Sequence, residues 1–240
     1  MPIPTLQRTA RFAAAIVIAA ALPLAAAPVA PFSATYEVRR NGDVLGEATL
    51  QLAATGNEWQ VTTQTRGTRG LAAAAGARVN ESSRFRYLDG APETIEYRYV
   101  QRTSFNSRER GAVVDAGSGR IALRNRDNRH DVPYVRGVVD RQLVTVALMQ
   151  AVAAGRSGVQ TLQVADRHEV EAQTWVIGGV EDVPMGARAE RGLRVERRRD
   201  PSEGRHTVLW LDQDQGHLPL RIEQREDDGE RIEMRLLRRG

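Results

Sequence analysis

Apolar and polar residues alternate along most of the chain, and the alternation predicts strands. Phe32, Ala34, Tyr36 and Val38 fall on one side, with Ser33, Thr35, Glu37 and Arg39 on the other, the period of two that marks a half-buried strand. Asn41-Gly42 is a strong hairpin signal and leads into Val44 to Leu52; Gly56-Asn57 then turns the chain into Trp59 to Thr65. Further strands are predicted over Val79 to Tyr87, through Ile95, Tyr97 and Tyr99, and over Arg108 to Val114 and Arg120 to Leu123 around Gly117-Ser118-Gly119. Asn125 to Asp131 is polar and reads as a loop. The pattern resumes over Val159 to Ala165, Val170 to Ile177, Ala187 to Arg198, Thr207 to Asp212, Leu218 to Gln224 and Ile232 to Leu237. Turn signals separate these segments at Gly178-Gly179, Asp200 to Gly204, Gln215-Gly216 and Asp227 to Gly229.

One stretch breaks the period. From Arg141 to Ala154 there is no Gly or Pro, Asp140 is a suitable N-cap and Gly155 a suitable stop. Leu143, Ala147 and Ala151 form one row at spacing four, and Val144, Leu148 and Val152 a second beside it; Val146 and Met149 widen the face. A helix this apolar has to be covered. Short strands with regular turns and one wide apolar helix predict a mainly β single domain, in which a curved antiparallel sheet or half-open barrel is covered by one principal α-helix. Thr68 to Gly76 interrupts the meander. Its run Gly70-Leu71-Ala72-Ala73-Ala74-Ala75-Gly76 reads as either a short helical turn or a loop at the rim.

The first residues are an address. Arg8 and Arg11 precede the apolar run Phe12 to Leu24, which ends in Ala25 to Ala27, the order of a secretory signal peptide. A signal peptide over residues 1–27, with cleavage as late as residue 30, leaves a single domain over residues 31–240. The expected location is the periplasm. The apolar run falls short of the roughly 20 residues of a comfortable membrane span, so no permanent span is expected after cleavage.

Charge excludes more than it suggests. The net charge is +4, and Arg8 and Arg11 leave with the signal. All basic residues are Arg, which stays protonated at any accessible pH. Arg alternates with Glu along the late strands, as in Arg221, Glu223, Arg225 and Glu230, Arg231, Glu233, Arg235. That is an interleaved solvated face, whereas a nucleic-acid binder shows a patch of one sign. No nucleic-acid partner is expected.

The strand holding Tyr36 with Gly42 and Gly46, the Asp140-led helix, and Trp210-Leu211-Asp212 followed by Leu218-Pro219-Leu220-Arg221-Ile222 resemble domain of unknown function 3108, a family of secreted bacterial proteins. The resemblance spans nearly all of the mature chain. It implies an envelope location and a β-rich domain, and brings no activity, cofactor or catalytic residue. The predicted architecture is also similar to the half-barrels of periplasmic lipoprotein carriers, although fold does not fix function.

Candidate chemistry is sparse. The chain has no Cys, hence no disulfide and no thiolate. His stands beside carboxylates at His130-Asp131 and Asp166-Arg167-His168-Glu169, both read as solvated turns without metal-ligand spacing. His206 and His217 read as surface or cap residues. Ser82, Ser83, Ser104 and Ser107 carry no nucleophile elbow, and the paired glycines are hairpin glycines. No cofactor, metal or catalytic set is expected, and a hydrolase using His130 or His168 ranks last. The aromatics at inward strand phases pack a core, or line a cavity with the Gly70 to Gly76 loop near its mouth. On the cavity reading the ligand-lining residues are Trp59, Leu71, Phe85, Tyr97, Tyr99, Leu148 and Trp210. The leading expectation is a non-catalytic protein that binds a hydrophobic ligand such as a lipid or lipidated peptide. A structural or interaction module that docks another envelope protein ranks next.

Overall fold

The computed structural model describes residues 29–198 and 205–240; the signal-peptide reading and the Asp200 to Gly204 turn lie outside these residues, the former but for its last possible cleavage points. The chain forms β1 (Phe32–Arg40), β2 (Asp43–Thr55), β3 (Glu58–Gly67), α1 (Gly70–Ala74), β4 (Arg78–Leu88), β5 (Ala91–Arg102), β6 (Ser107–Asp115), β7 (Arg120–Asn125) and β8 (Asn128–Pro133). A two-residue β9 (Val139–Asp140) leads into α2 (Leu143–Ala153). Then come β10 (Gly158–Asp166), β11 (Glu169–Met185), β12 (Arg188–Arg198), β13 (His206–Asp212), β14 (Pro219–Arg225) and β15 (Arg231–Arg239).

All 15 strands belong to one sheet, in the order β8-β7-β6-β5-β4-β3-β2-β1-β15-β14-β13-β12-β11-β10-β9. Every pair is antiparallel except β9 with β10. The first and last strands therefore pair in the middle of the sheet, and its two free ends, β8 and β9, are consecutive in the chain. Among the described residues no ladder closes the sheet. Its ends nevertheless approach each other: the rings of His130 and His168 lie 5.9 Å apart, and the residue before β9 is tied to β5 by Thr94 N–H donating to the Val138 carbonyl at 2.9 Å.

The apolar faces of β1–β3, Phe85 and the strands from β10 onward surround α2. Tyr36, Leu52, Phe85, Leu143, Leu148, Met149, Leu209, Leu211 and Leu220 are all fully buried. A smaller cluster of Tyr97, Ala112, Ile121, Leu123, Val138 and Ala165 lies under β5–β7. The sheet side of α2 was expected; burial of most of its circumference is the reason it is apolar nearly all round. Even Gln150 is buried, its Oε1 accepting the Val29 N–H at 3.0 Å.

Three local expectations are corrected. The polar Asn125 to Asp131 stretch is largely strand β8, because Arg126 and Asp127 make a tight hairpin, with Arg126 at φ +58°, and hand the chain back to β7. Gly178-Gly179 lies inside the 17-residue β11, at a register shift between Ile177 and Val180; glycine there accommodates a bulge, and the reversal comes later at Gly186. The helix begins at Leu143, with Gln142 in the cap position and Val139-Asp140 extended beside Val164-Ala165. Asp140 still supplies the capping chemistry from two positions upstream, accepting the Gln142 and Leu143 N–H groups. In the Gly70 to Gly76 run the helical alternative holds.

Gly46 shows why glycine stands in β2. A Cβ there would sit 1.9 Å from the Arg66 carbonyl oxygen, and one at Gly67, its register partner, 2.6 Å from the Ala72 carbonyl oxygen. The two glycines let β2, β3 and α1 pack backbone against backbone.

Candidate functional site

The site grows from the junction that introduces α2. Asp140 is fully buried. Its Oδ1 accepts from Ser83 Oγ at 2.7 Å and from the backbone N–H groups of Gln142 and Leu143 at 2.9 and 3.0 Å. Its Oδ2 accepts from Thr94 Oγ1 at 2.8 Å, and Asp140 N–H donates back to the same hydroxyl. Burial disfavours the charged carboxylate, and despite the opposing hydrogen bonds its pKa is pushed up to about 6. Glu93, also fully buried, ties down the preceding loop by accepting from Tyr134 Oη, Gly137 N–H and Arg86. Burial opposes its ionisation too, but these donors outweigh it and hold the pKa below the usual carboxylate range.

Arg141, held next to this junction, opens the polar side of the site. Its Nε lies 3.2 Å from Glu81 Oε1, which also accepts from Tyr97 Oη at 2.6 Å. The guanidinium groups of Arg110 and Arg141 each lie 5.7 Å from the centre of the Tyr99 ring. Arg110 approaches Asp166 only to 3.8 Å, and its buried Nε and Asp166 Oδ1 make no hydrogen bond. Burial and the neighbouring cations Arg141 and Arg167 lower the Arg110 pKa from its ordinary value.

Beyond this cluster a concavity of about 460 Å³ runs between the flank of α2 and strands β10 to β14. Val144, Trp175, Leu209 and Ile222 form its apolar part, and Arg141, Thr145, Gln173, Arg197 and Arg205 stand among the polar residues. Arg197 pairs with Glu171 at 2.8 Å, and Arg205 with Glu226 at 2.5 Å. Trp175 is almost wholly buried, and its Nε1–H has no hydrogen-bond partner. A second concavity of about 540 Å³ lies over β5–β8, with Tyr97 and Arg110 in its lining, so the Arg110–Asp166 contact separates the two.

The residues expected to line a ligand do not converge. Phe85 and Leu148 are buried in the main core, and Trp59 stacks edge-on with Tyr87 beside them. Tyr97 lines the second concavity and Tyr99 lies under the two arginines. Leu71 is 89 % exposed, and its loop borders neither concavity. Trp210 was expected inward; instead its ring lies 4.8 Å under the Arg221 guanidinium and its Nε1 donates to the exposed Glu181. The alternation of β13 is intact: Leu209 and Leu211 are the buried positions, and Trp210 between them falls on the outer phase, packed only in part against the core.

The two His clusters, far apart in sequence, meet at the approach of the sheet ends. Among the described residues no three His, Cys, Asp or Glu side chains are placed to hold a metal ion. What sequence reasoning missed are Arg110, Arg141, Arg197 and Arg205. The available signal was the absence of Lys, since a chain that uses only Arg is suited to partly buried, hydrogen-bonded cations.

A model of a family described as a protein of unknown function, DUF3108, matches residues 34–236. Among solved structures the chain is similar to a β-barrel-like protein of domain of unknown function DUF1849 from Brucella abortus, with a TM-score of 0.55 at 12 % identity. That likeness covers 89 % of this chain and 98 % of the other, and it is one of fold. No curated protein matches.

Proposed function

Because the chain belongs to the DUF3108 family of proteins of unknown function, which assigns no activity, we propose a function from the chain's own site: a non-catalytic, exported binding protein of the cell envelope that holds an amphiphile, such as a lipid or lipidated peptide, beside α2. The observation that carries this reading is the concavity of about 460 Å³, where Val144, Trp175, Leu209 and Ile222 meet Arg141, Arg197 and Arg205. Its size is within the usual range of small-molecule sites, roughly 300–1,000 Å³. Its lining has two characters, so the ligand has an apolar part and a hydrogen-bonding part. A purely hydrocarbon ligand finds no place around the rest of α2, where the core is filled by fully buried side chains. Export rests on the Arg8 to Ala27 pattern.

Native mass spectrometry of the mature protein, before and after organic extraction, tests the proposal. A discrete extra mass that extraction removes is the expected result. Thr145 is half-buried on α2 and lines the concavity, so Thr145→Trp fills the space with little disturbance of the core. That variant should lose the extra mass while its stability changes by less than about 1 kcal/mol. An identical adduct on both proteins would place the ligand elsewhere and end this reading. A second reading, docking of another envelope protein, is favoured by the edge of β10. Only Val164 and Ala165 of that edge pair with β9, leaving Gly158 to Gln163 open to an added strand. Co-purification of a partner from a clean apo protein would put it first.

A further inference from the structure

The rim of the sheet bears a second feature that the concavity does not use. In the β5–β6 turn Thr103 Oγ1 accepts the Asn106 N–H at 3.0 Å, and Thr103 N–H donates to the Asn106 carbonyl at 2.8 Å. This holds Phe105 at the tip, 92 % exposed. The adjacent loop carries α1, none of whose residues is buried, with Leu71 89 % exposed. Ser104 joins the two loops: its N–H and its Oγ both donate to the Ala75 carbonyl, at 2.9 and 3.1 Å. Two large apolar side chains thus project from one braced platform, and among the described residues none covers either.

The collar beneath them is cationic. Arg66, Arg78 and Arg102 are directly opposite one another across β3, β4 and β5, and all three are exposed, as is Arg69 beside α1. None of the four takes part in an ion pair among the described residues. Like charges directly opposite on a sheet repel. Elsewhere the chain neutralises such rows. Arg221 stands opposite Arg235 and Glu223 opposite Glu233, yet Glu233 pairs with both arginines and Glu223 with Arg221 and Arg225. At the rim the row runs Glu37–Glu47–Arg66–Arg78–Arg102–Ser107, with both acids at one end and none between the three arginines. From Gln64 to Asn80 and from Arg98 to Arg108 the sequence has no acid at all. The repulsion is left for an anionic partner to relieve.

Apolar tips above an uncompensated arginine collar have the layout of an interfacial membrane anchor. The tips enter the boundary between headgroups and acyl chains, and the cations lie at the level of anionic headgroups. We propose that the Leu71–Phe105 rim docks this protein on the surface of an anionic phospholipid bilayer. The occupant is a bilayer and not a free anion, because a soluble phosphate would engage the collar and leave both tips in water. The docking is peripheral and reversible, since two side chains and four charges fall far short of a membrane span.

Flotation of the mature protein with vesicles tests this. Phosphatidylglycerol–phosphatidylcholine vesicles should carry the protein at low salt, and pure phosphatidylcholine vesicles should not. Binding should weaken as salt rises through the physiological range, where the Debye length is about 8 Å. Leu71→Ser with Phe105→Ser should lower the partition coefficient at least about tenfold, given the apolar area withdrawn from water. Arg78→Gln with Arg102→Gln removes two of the four collar charges and should roughly halve the salt dependence. Both pairs are exposed, so an unchanged melting temperature separates docking from folding. Vesicle binding that survives the Leu71/Phe105 change, or no binding to anionic vesicles, overturns the proposal. So does loss of a co-purifying protein in that variant without loss of vesicle binding. Thr145→Trp leaves the rim intact and should float normally, so failure of the ligand reading and failure of this one are distinguishable.

Discussion

Asp140→Ala should destabilise the protein by about 3–5 kcal/mol at neutral pH, measured by urea or thermal unfolding. The change removes one side chain and leaves four donors without their acceptor: Ser83 Oγ, Thr94 Oγ1 and the N–H groups of Gln142 and Leu143. Two of these are first-turn groups of α2, so part of the loss is that of a helix cap, about 1 kcal/mol. The rest comes from hydroxyls stranded in a site with no solvent access. Asp140→Asn should be far milder. Its amide oxygen can keep the Oδ1 contacts, and its NH₂ can donate to Thr94 Oγ1.

The same residue sets a pH dependence of known sign. Its folded pKa of about 6 lies above the unfolded value. Its contribution is therefore fully present below about pH 4 and is lost as pH rises through about 6. A shift of about two units corresponds to about 3 kcal/mol. Glu93, Glu196 and Glu233 have lowered values, and their contributions run the other way, lost as pH falls. The clean readout is thus the difference between Asp140→Asn and the parent protein. The parent should lose ground to the variant between pH 4 and pH 7. A gap that stays constant across that window would mean that Asp140 is ionised throughout, its four hydrogen bonds outweighing burial.

Leu148→Ala should cost about 3–5 kcal/mol. Large-to-small changes in cores cost about 2–5 kcal/mol, more where the cavity cannot collapse. Leu148 is fully buried at the middle of α2, flanked by the equally buried Val146, Ala147 and Met149. The surrounding wall is a hydrogen-bonded sheet, which cannot close in on a lost isobutyl group as a loop could. Guanidinium unfolding at pH 7 measures it. A loss below about 1 kcal/mol would mean that α2 is peripheral to the cooperative unit, and that the concavity beside it has no rigid wall.

The sequence was a good guide wherever the controlling interactions are local. Period-two alternation located most strands, since one face of each is buried and the other wet. Asn41-Gly42 located a hairpin because its backbone needs positive φ at both residues, +50° and +95°. Asp140 was recognisable as the residue that caps α2, and the apolar rows of the helix announced that it would be covered. Where local pattern and tertiary pairing disagreed, pairing won. Asn128 to Pro133 has no apolar face to advertise, yet it is a strand because β7 offers it a ladder. Gly178-Gly179 resembles a turn and is a bulge, because the pairing with β12 continues past it, from Val180 opposite Leu193 to Met185 opposite Arg188.

The candidate site was legible only in fragments. Its apolar members were chosen by strand phase, which states whether a side chain points in but not whether it meets a packed core or an open space. Phe85 meets the core, whereas Trp175, also at an inward phase, lines the concavity. The arginines Arg110, Arg141, Arg197 and Arg205 come from two strands and two connecting stretches far apart in the chain and share no motif, so only the curvature of the sheet gathers them.

The chain alone therefore determined its β content, its principal helix, the residue that caps that helix and the family to which it belongs, because each depends on neighbours close in sequence or on a pattern spread along the whole chain. Tertiary structure decided that the sheet opens between two consecutive strands, that Asp140 is buried rather than exposed at its cap, and that Leu71 and Phe105 share one rim above a row of unpaired arginines. Those outcomes depend on strand register and burial between residues tens of positions apart, where each one-residue shift in pairing moves every side chain to the opposite face.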